Sequence, residues 1–327
     1  MEKRIYDKMV DAMNIKDTDT LLVNFWGCEE ELSDLRDFEE VLNEKEISYH
    51  TIRYTDEYIM NLIKENSEGL SAKWFENVAD TTVIIDFMER PAGMPPRKLE
   101  RDKYPVFGRI LQELFGFMSE REKMIQITMP SKMNAEMAGI PYVDYARRVE
   151  KALDIDYIKL KEECEKEIAR LSGDMRVVKT GENCELELDT TGRTWYTDAG
   201  EGAFPCGEIY IAPVEEKTNG KIYFEKLAVE QVGVFEDVTL TIKNGHFQTS
   251  DCEKFNLFMS EIDETGADIV AELGIGMNPN VTGNEGDSTI DENAYGTFHI
   301  AFGMNHMFGG KNQCRFHMDF VTKGEIV

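Results

Sequence analysis

GTFHIAFGMNHMFGGKNQCRFHMDFV (residues 296–321) alternates apolar with other residues at a period of two at each end, with a glycine-rich link between. Alternation of that kind marks short strands with one face in a core. His317 and Asp319 stand at i and i+2, so both side chains leave the same side of their strand. His299, His306, His317 and Asp319 fall within 21 positions, although the chain holds only five histidines. Imidazole is the commonest protein metal ligand, and its crowding beside a carboxylate points to a metal centre.

The same short-strand pattern runs back from this stretch through MRVVKT, CELELDT, RTWYTDA, GEIYIAP, GKIYFEKLAV and VTLTIKNGHF. Lys217-Thr-Asn-Gly220 and Lys243-Asn-Gly245 read as hairpin turns. One helix is expected over 251–266. The second half is therefore a β-rich, α+β domain, expected to bind the metal.

The first half has a different rhythm. Apolar strands are expected at 18–26, 46–53, 81–88 and 124–129, with helices at 29–45 and 100–120 between them. That order predicts an α/β domain with a mainly parallel sheet. Residues 141–172 read as strongly helical, and Gly173 is a fitting C-cap. The expected domains are thus 1–172 and 173–327, a division that suits a chain of 327 residues.

Composition narrows the partners. With 63 acidic against 36 basic residues, the net charge is −27. This argues against nucleic acid and against an anionic membrane surface, both of which need a basic footprint. The N-terminus lacks the apolar core of a signal peptide, and no apolar run reaches the length of a membrane span. The six cysteines form no Cys-x-x-Cys pair. The expectation is a cytoplasmic protein with reduced thiols.

Two acids stand in unusually apolar company. Glu208 opens Gly-Glu-Ile-Tyr-Ile-Ala-Pro, and Glu272 lies in Ile-Val-Ala-Glu-Leu-Gly-Ile-Gly. Buried acids are rare unless paired or bound to metal. With Glu208 and Glu272 the candidate ligands number six, more than a tetrahedral zinc takes. Such a set suits two divalent ions.

The wording and order of MPSKMNAEMAGIPYVDYARRVEKAL, GEIYIAP, AELGIG, DENAYGTFHIAFG and GGKNQCRFHMD, over residues 130–319, resemble the M29 aminopeptidases. The resemblance implies an N-terminal α/β domain, a β-rich C-terminal domain, a homodimer and two divalent metals (Zn, Co or Mn). Residue by residue, it carries ligand roles onto Glu208, Glu272, His299, His317 and Asp319. In the family a tyrosine follows the Gly-Thr-x-His histidine by seven residues and reaches the metals; here that position is His306, expected as a sixth ligand and catalytic group. The implied activity is release of N-terminal residues from short peptides or another small-molecule substrate.

Two rivals remain. A ring-cleaving dioxygenase related to the dihydroxypyridine enzymes would use a single Fe(II), held by His299 or His306 with His317 and Asp319. The retention of both Glu208 and Glu272 argues against it. A non-catalytic descendant of the fold has only the exchange at 306 in its favour. Lys311, in Gly309-Gly310-Lys311-Asn312, lacks the spacing of a nucleotide loop and is expected to be solvated. Residues 90–98 (RPAGMPPRK) are expected to form a long loop.

Overall fold

The computed structural model describes residues 1–29, 32–171, 173–181, 183–229, 232–283 and 286–327. These form two compact units, Met1–Tyr157 with Gly200–Pro205, and Ile158–Ala199 with Cys206–Val327.

The first unit is built on a parallel sheet. Its strands are β1 (Thr20–Trp26), β2 (Ser48–Tyr54), β3 (Val83–Met88), β4 (Lys123–Thr128) and the short β8 (Ala203–Phe204), in the order β2-β1-β3-β4-β8. β1 is buried from Leu21 to Trp26 and apolar but for Asn24, because both faces are covered. On one face Phe87, beside Phe25, meets Tyr6 and Phe38, from helices Lys3–Ala12 and Leu32–Glu44. On the other, Leu22, Trp26 and Ile84 pack with residues of helices Asp56–Glu65 and Tyr104–Ser119. The expected α/β layer is therefore present. Its helices keep their apolar stripes at three- and four-residue spacing, as in Leu35, Phe38, Val41 and Leu42.

One expected helical run is in fact two. Tyr142–Leu153 ends where Asp154 takes ψ 67°, and Tyr157–Arg170 begins anew. Asp154 is held outside the helix by paired hydrogen bonds from Arg4 and one from Lys8.

The second unit is a sandwich of two antiparallel sheets. The first contains β5 (Met175–Thr180), β6 (Cys184–Asp189), β10 (Asn219–Val229), β11 (Gly233–Lys243), β12 (His246–Ser250) and β16 (Glu325–Ile326), ordered β12-β11-β10-β6-β5-β16. The second contains β7 (Tyr196–Asp198), β9 (Glu208–Ile211), β13 (Val270–Gly276), β14 (Phe298–Gly303) and β15 (His317–Thr322), ordered β15-β14-β13-β9-β7. Between them lies one core, with Leu186, Ile222, Phe224 and Leu240 on one side and Leu273, Ile300, Phe302 and Phe320 on the other. Burying each such side chain contributes roughly 1.5–3 kcal/mol, which fixes the register of the strands whose opposite faces carry polar groups.

Asn244 and Gly245 both have positive φ and join β11 to β12, the primed turn that Asn-Gly favours. Lys217–Gly220 is not a hairpin turn. Asn219 and Gly220 already belong to β10 and pair with β6. Gly220 is required because a side chain there would collide with the Glu185 carbonyl. The helix expected over 251–266 spans Glu253–Glu261. Among the described residues, no helix is long and apolar enough to cross a membrane.

Candidate metal centre

Strand register places the chemistry on one face of the second sheet. Gly274 of β13 pairs with His299 of β14, and Ala301 with Asp319 of β15, two residues from His317. On the other side of β13, Gly276 pairs with Glu208 of β9, which in turn pairs with Asp198 of β7. The alternate residues of these strands face the hydrophobic core, so the period-two pattern separates chemistry from packing. A register irregularity between Val270 and Glu272 coincides with the approach of the Glu272 carboxylate to the histidines.

The side chains converge closely. His299 Nε2 lies 3.3 Å from both Glu208 Oε2 and Glu272 Oε1, and 3.9 Å from Asp319 Oδ1. His317 Nε2 lies 3.5 Å from Glu272 Oε2 and 3.7 Å from Asp319 Oδ1. Two three-residue groups result, Glu208–Glu272–His299 and Glu272–His317–Asp319, with ligand atoms in each within 4.8 Å of one another. Glu272 belongs to both groups and offers a different oxygen to each histidine.

The groups are set up to receive a cation. His317 Nδ1 is 2.7 Å from the Met304 carbonyl. A carbonyl only accepts, so Nδ1 carries the hydrogen and Nε2 faces the carboxylates. Asp319 Oδ1 is buried without a hydrogen-bond partner, although it faces both Nε2 atoms. The centre is deepest at His299, whose side chain is 1% exposed, and opens at His317, 24% exposed.

Electrostatics tells the same story. Burial alone would depress His299, but its bond to Glu272 and the charges of Glu208 and Asp319 carry its pKa up to about 9. His317 also rises to about 9, with burial opposed by Asp319 and Glu272. Glu208 is pushed up to about 8, first by burial and then by Glu272, Asp198 and Asp319, against the relief that His299 supplies. Burial would raise Asp319, yet the two imidazoles hold it below the usual carboxylate range. The centre without metal thus keeps protons to balance its crowded carboxylates.

His306 is not brought into either group. It starts a 3₁₀ turn, His306–Phe308, and is exposed, with Nδ1 3.3 Å from the Asn312 carbonyl. Phe308 is the buried member of that turn, and its ring lies edge-on to His317 at 6.1 Å. Lys311 is held through its backbone N–H by Glu215 Oε1.

Three residues at the centre were not singled out from the sequence. Glu292 follows the short helix Ser288–Asp291, and burial together with Asp319, Glu208 and Glu272 raises its pKa well above the ordinary range. Its signal was the Asp-Glu-Asn-Ala stretch preceding Gly-Thr-Phe-His. Asp198 sits opposite Glu208 across β7 and β9, which only strand pairing reveals. Tyr210 is two residues from Glu208, on the same face, a spacing readable in the sequence.

Residues 155–324 match the model of the thermophilic metalloprotease family M29. The chain belongs to that family. The family is one of thermophilic metalloproteases. The M29 chain is also similar to the solved structure of wild-type AmpT from Thermus thermophilus, with 17% identity and a TM-score of 0.66. That similarity covers 99% of this chain and 97% of the other, and both share the pairing of a mostly parallel α/β part with antiparallel sheets. Among curated proteins, chloroplastic cytochrome f of Euglena gracilis is 28% identical over 163 residues, 47% of this chain. The chain spans 30% of the length of that curated relative.

Proposed function

We propose that this M29 protein is an aminopeptidase that holds two divalent ions (Zn, Co or Mn) side by side and releases N-terminal residues from short peptides. The single observation that carries the reading is the sharing of Glu272 between two ligand groups. Glu208, Glu272 and His299 would hold one ion, and Glu272, His317 and Asp319 the other. When bound, such a pair lowers the pKa of a water and polarises the scissile carbonyl.

The donor set fits the ions. Imidazole and carboxylate suit Zn, Co and Mn, and both Nε2 atoms face inward. Glu292 stands as a further candidate ligand, in the role that the sequence suggested for His306. Asp198, beside Glu208, adds a fifth carboxylate.

Metal analysis of protein purified without chelator tests this. About two Zn, Co or Mn per chain, with release of leucine from a dipeptide, is the expected result. One iron per chain, with oxygen uptake in the presence of a hydroxylated pyridine, would overturn it in favour of a dioxygenase.

A further inference from the structure

We propose that Tyr210 supplies the neutral hydrogen-bond donor of this centre, its phenol O–H meeting the carbonyl oxygen of the substrate as that oxygen gains charge. The inference rests on the aminopeptidase reading and adds a residue to it.

The placement follows from strand geometry. Tyr210 and Glu208 occupy alternate positions of β9 and share a face. Across the sheet Tyr210 pairs with Gly274, the residue over which the His299 imidazole lies, so the phenol and that ring are neighbours on one face of the sheet. The ring is clamped. It stacks on Tyr196 at 5.7 Å and 22°, and Phe308 meets it edge-on at 5.5 Å and 84°. Phe308 also touches the His317 ring, so an aromatic chain runs from the metal-ligand candidate to Tyr210.

The hydroxyl is also uncommitted. Tyr6 donates to Asp34, Tyr157 to the Leu153 carbonyl and Tyr223 to Asp237. Among the described residues, Tyr210 makes no such bond. A rigid donor without a protein acceptor, beside a nest of carboxylates, is available to a substrate oxygen.

The exchange at 306 gives the placement its meaning. The family pattern puts three apolar residues between the glutamate and Ala-Pro, and a tyrosine at position 306. Here the second of the three is Tyr210, while His306 is exposed and Phe308 turns inward against both rings.

In the step itself, a water oxygen forms a bond to the carbonyl carbon, and the C=O π pair moves onto the carbonyl oxygen. Tyr210 donates a hydrogen bond to that oxygen and keeps its proton. When the C–N bond breaks, the pair returns to C=O and the nitrogen leaves with a proton that originated in the water. A preorganised donor of this kind is worth about 10²-fold in kcat.

Calorimetric binding of a phosphonate dipeptide analogue, which mimics the tetrahedral oxygen, reads the contact without turnover. Wild type, Tyr210→Phe and His306→Ala would be loaded with zinc and compared, with metal per chain and leucine affinity measured alongside. The expected result is that Tyr210→Phe keeps its metal and its leucine affinity within twofold, but binds the phosphonate about 10²-fold more weakly and loses a similar factor in kcat with KM unchanged. His306→Ala should match wild type. Phosphonate binding by Tyr210→Phe within twofold of wild type would overturn the proposal. So would loss of metal, or an equal loss of leucine and phosphonate affinity, each of which marks a structural role. Failure of the zinc-loaded wild type to bind the phosphonate would instead overturn the aminopeptidase reading, and this inference with it.

Discussion

Gly274 lies directly beneath the imidazole of His299, in the neighbouring strand and in register with it. A methyl group at 274 would collide with Nε2, the nitrogen that faces Glu208 and Glu272. The glycine is thus part of the centre although it offers no ligand. Gly274→Ala should displace the ring and cost about 1–3 kcal/mol of stability from overpacking. Metal per chain measured by mass spectrometry should fall from two to one or fewer. Retention of both ions would refute this account of the glycine.

Glu272 faces both histidines, while Glu208 and Asp319 each belong to one group. Glu272→Gln should therefore reduce metal content below one ion per chain, whereas Glu208→Gln and Asp319→Asn should each leave about one. Equal losses in all three variants would contradict the shared carboxylate. Glu292→Gln should weaken metal binding by about 10–100-fold.

His306 is exposed and lies outside both groups. His306→Ala should retain the wild-type metal content and melting temperature. A lost ion in that variant would show that the turn His306–Phe308 closes onto the centre in solution.

Proton linkage at the centre has a definite sign. His299 and His317 rise to about 9 and Glu208 to about 8, each above its unfolded value. Stability contributed by the histidines is fully present below about pH 6.5 and lost as pH rises toward 9; that of Glu208 is lost between about pH 4.5 and 8. The chelator-treated protein should therefore melt at lower temperature at pH 9 than at pH 6.5. Metal should bind more tightly over the same interval and release protons at pH 7, measurable by calorimetry in buffers of different ionisation enthalpy. A flat melting profile without metal would refute the assignment.

Asp86 offers a test far from the chemistry. It is buried on β3, accepts from Asn24 and Trp26, and is pushed up to about 6 by burial, against those two bonds. A raised carboxyl favours the fold below about pH 4, and that contribution is lost as pH climbs through 6. Asp86→Asn keeps an acceptor oxygen without the charge. At pH 7.5 it should be more stable than wild type by up to about 3 kcal/mol in urea denaturation, with no gain at pH 4. No gain at pH 7.5 would show that the charged form finds compensation in the core.

The alternation around His299 and His317, and the apolar runs of β1 and β3, made the α/β and β-rich halves legible, because side-chain period follows directly from backbone geometry. Five candidate ligands were legible as well, since acids in apolar company and clustered histidines carry a desolvation cost that metal relieves. The exclusion of His306 was not legible. It depends on which residue of a three-residue turn points inward, and the burial of Phe308 against Tyr210 and His317 decided that. Nor could Asp198 and Glu292 be placed, because one reaches the centre through strand pairing and the other through a short helix after a loop. Sequence by itself marked acids and imidazoles with the chemistry to bind a metal, and put His317 and Asp319 on one strand face. Only the tertiary structure decided their register, and with it that Glu272 stands between two histidines, because pairing across a sheet is set by long-range core packing and not by local period.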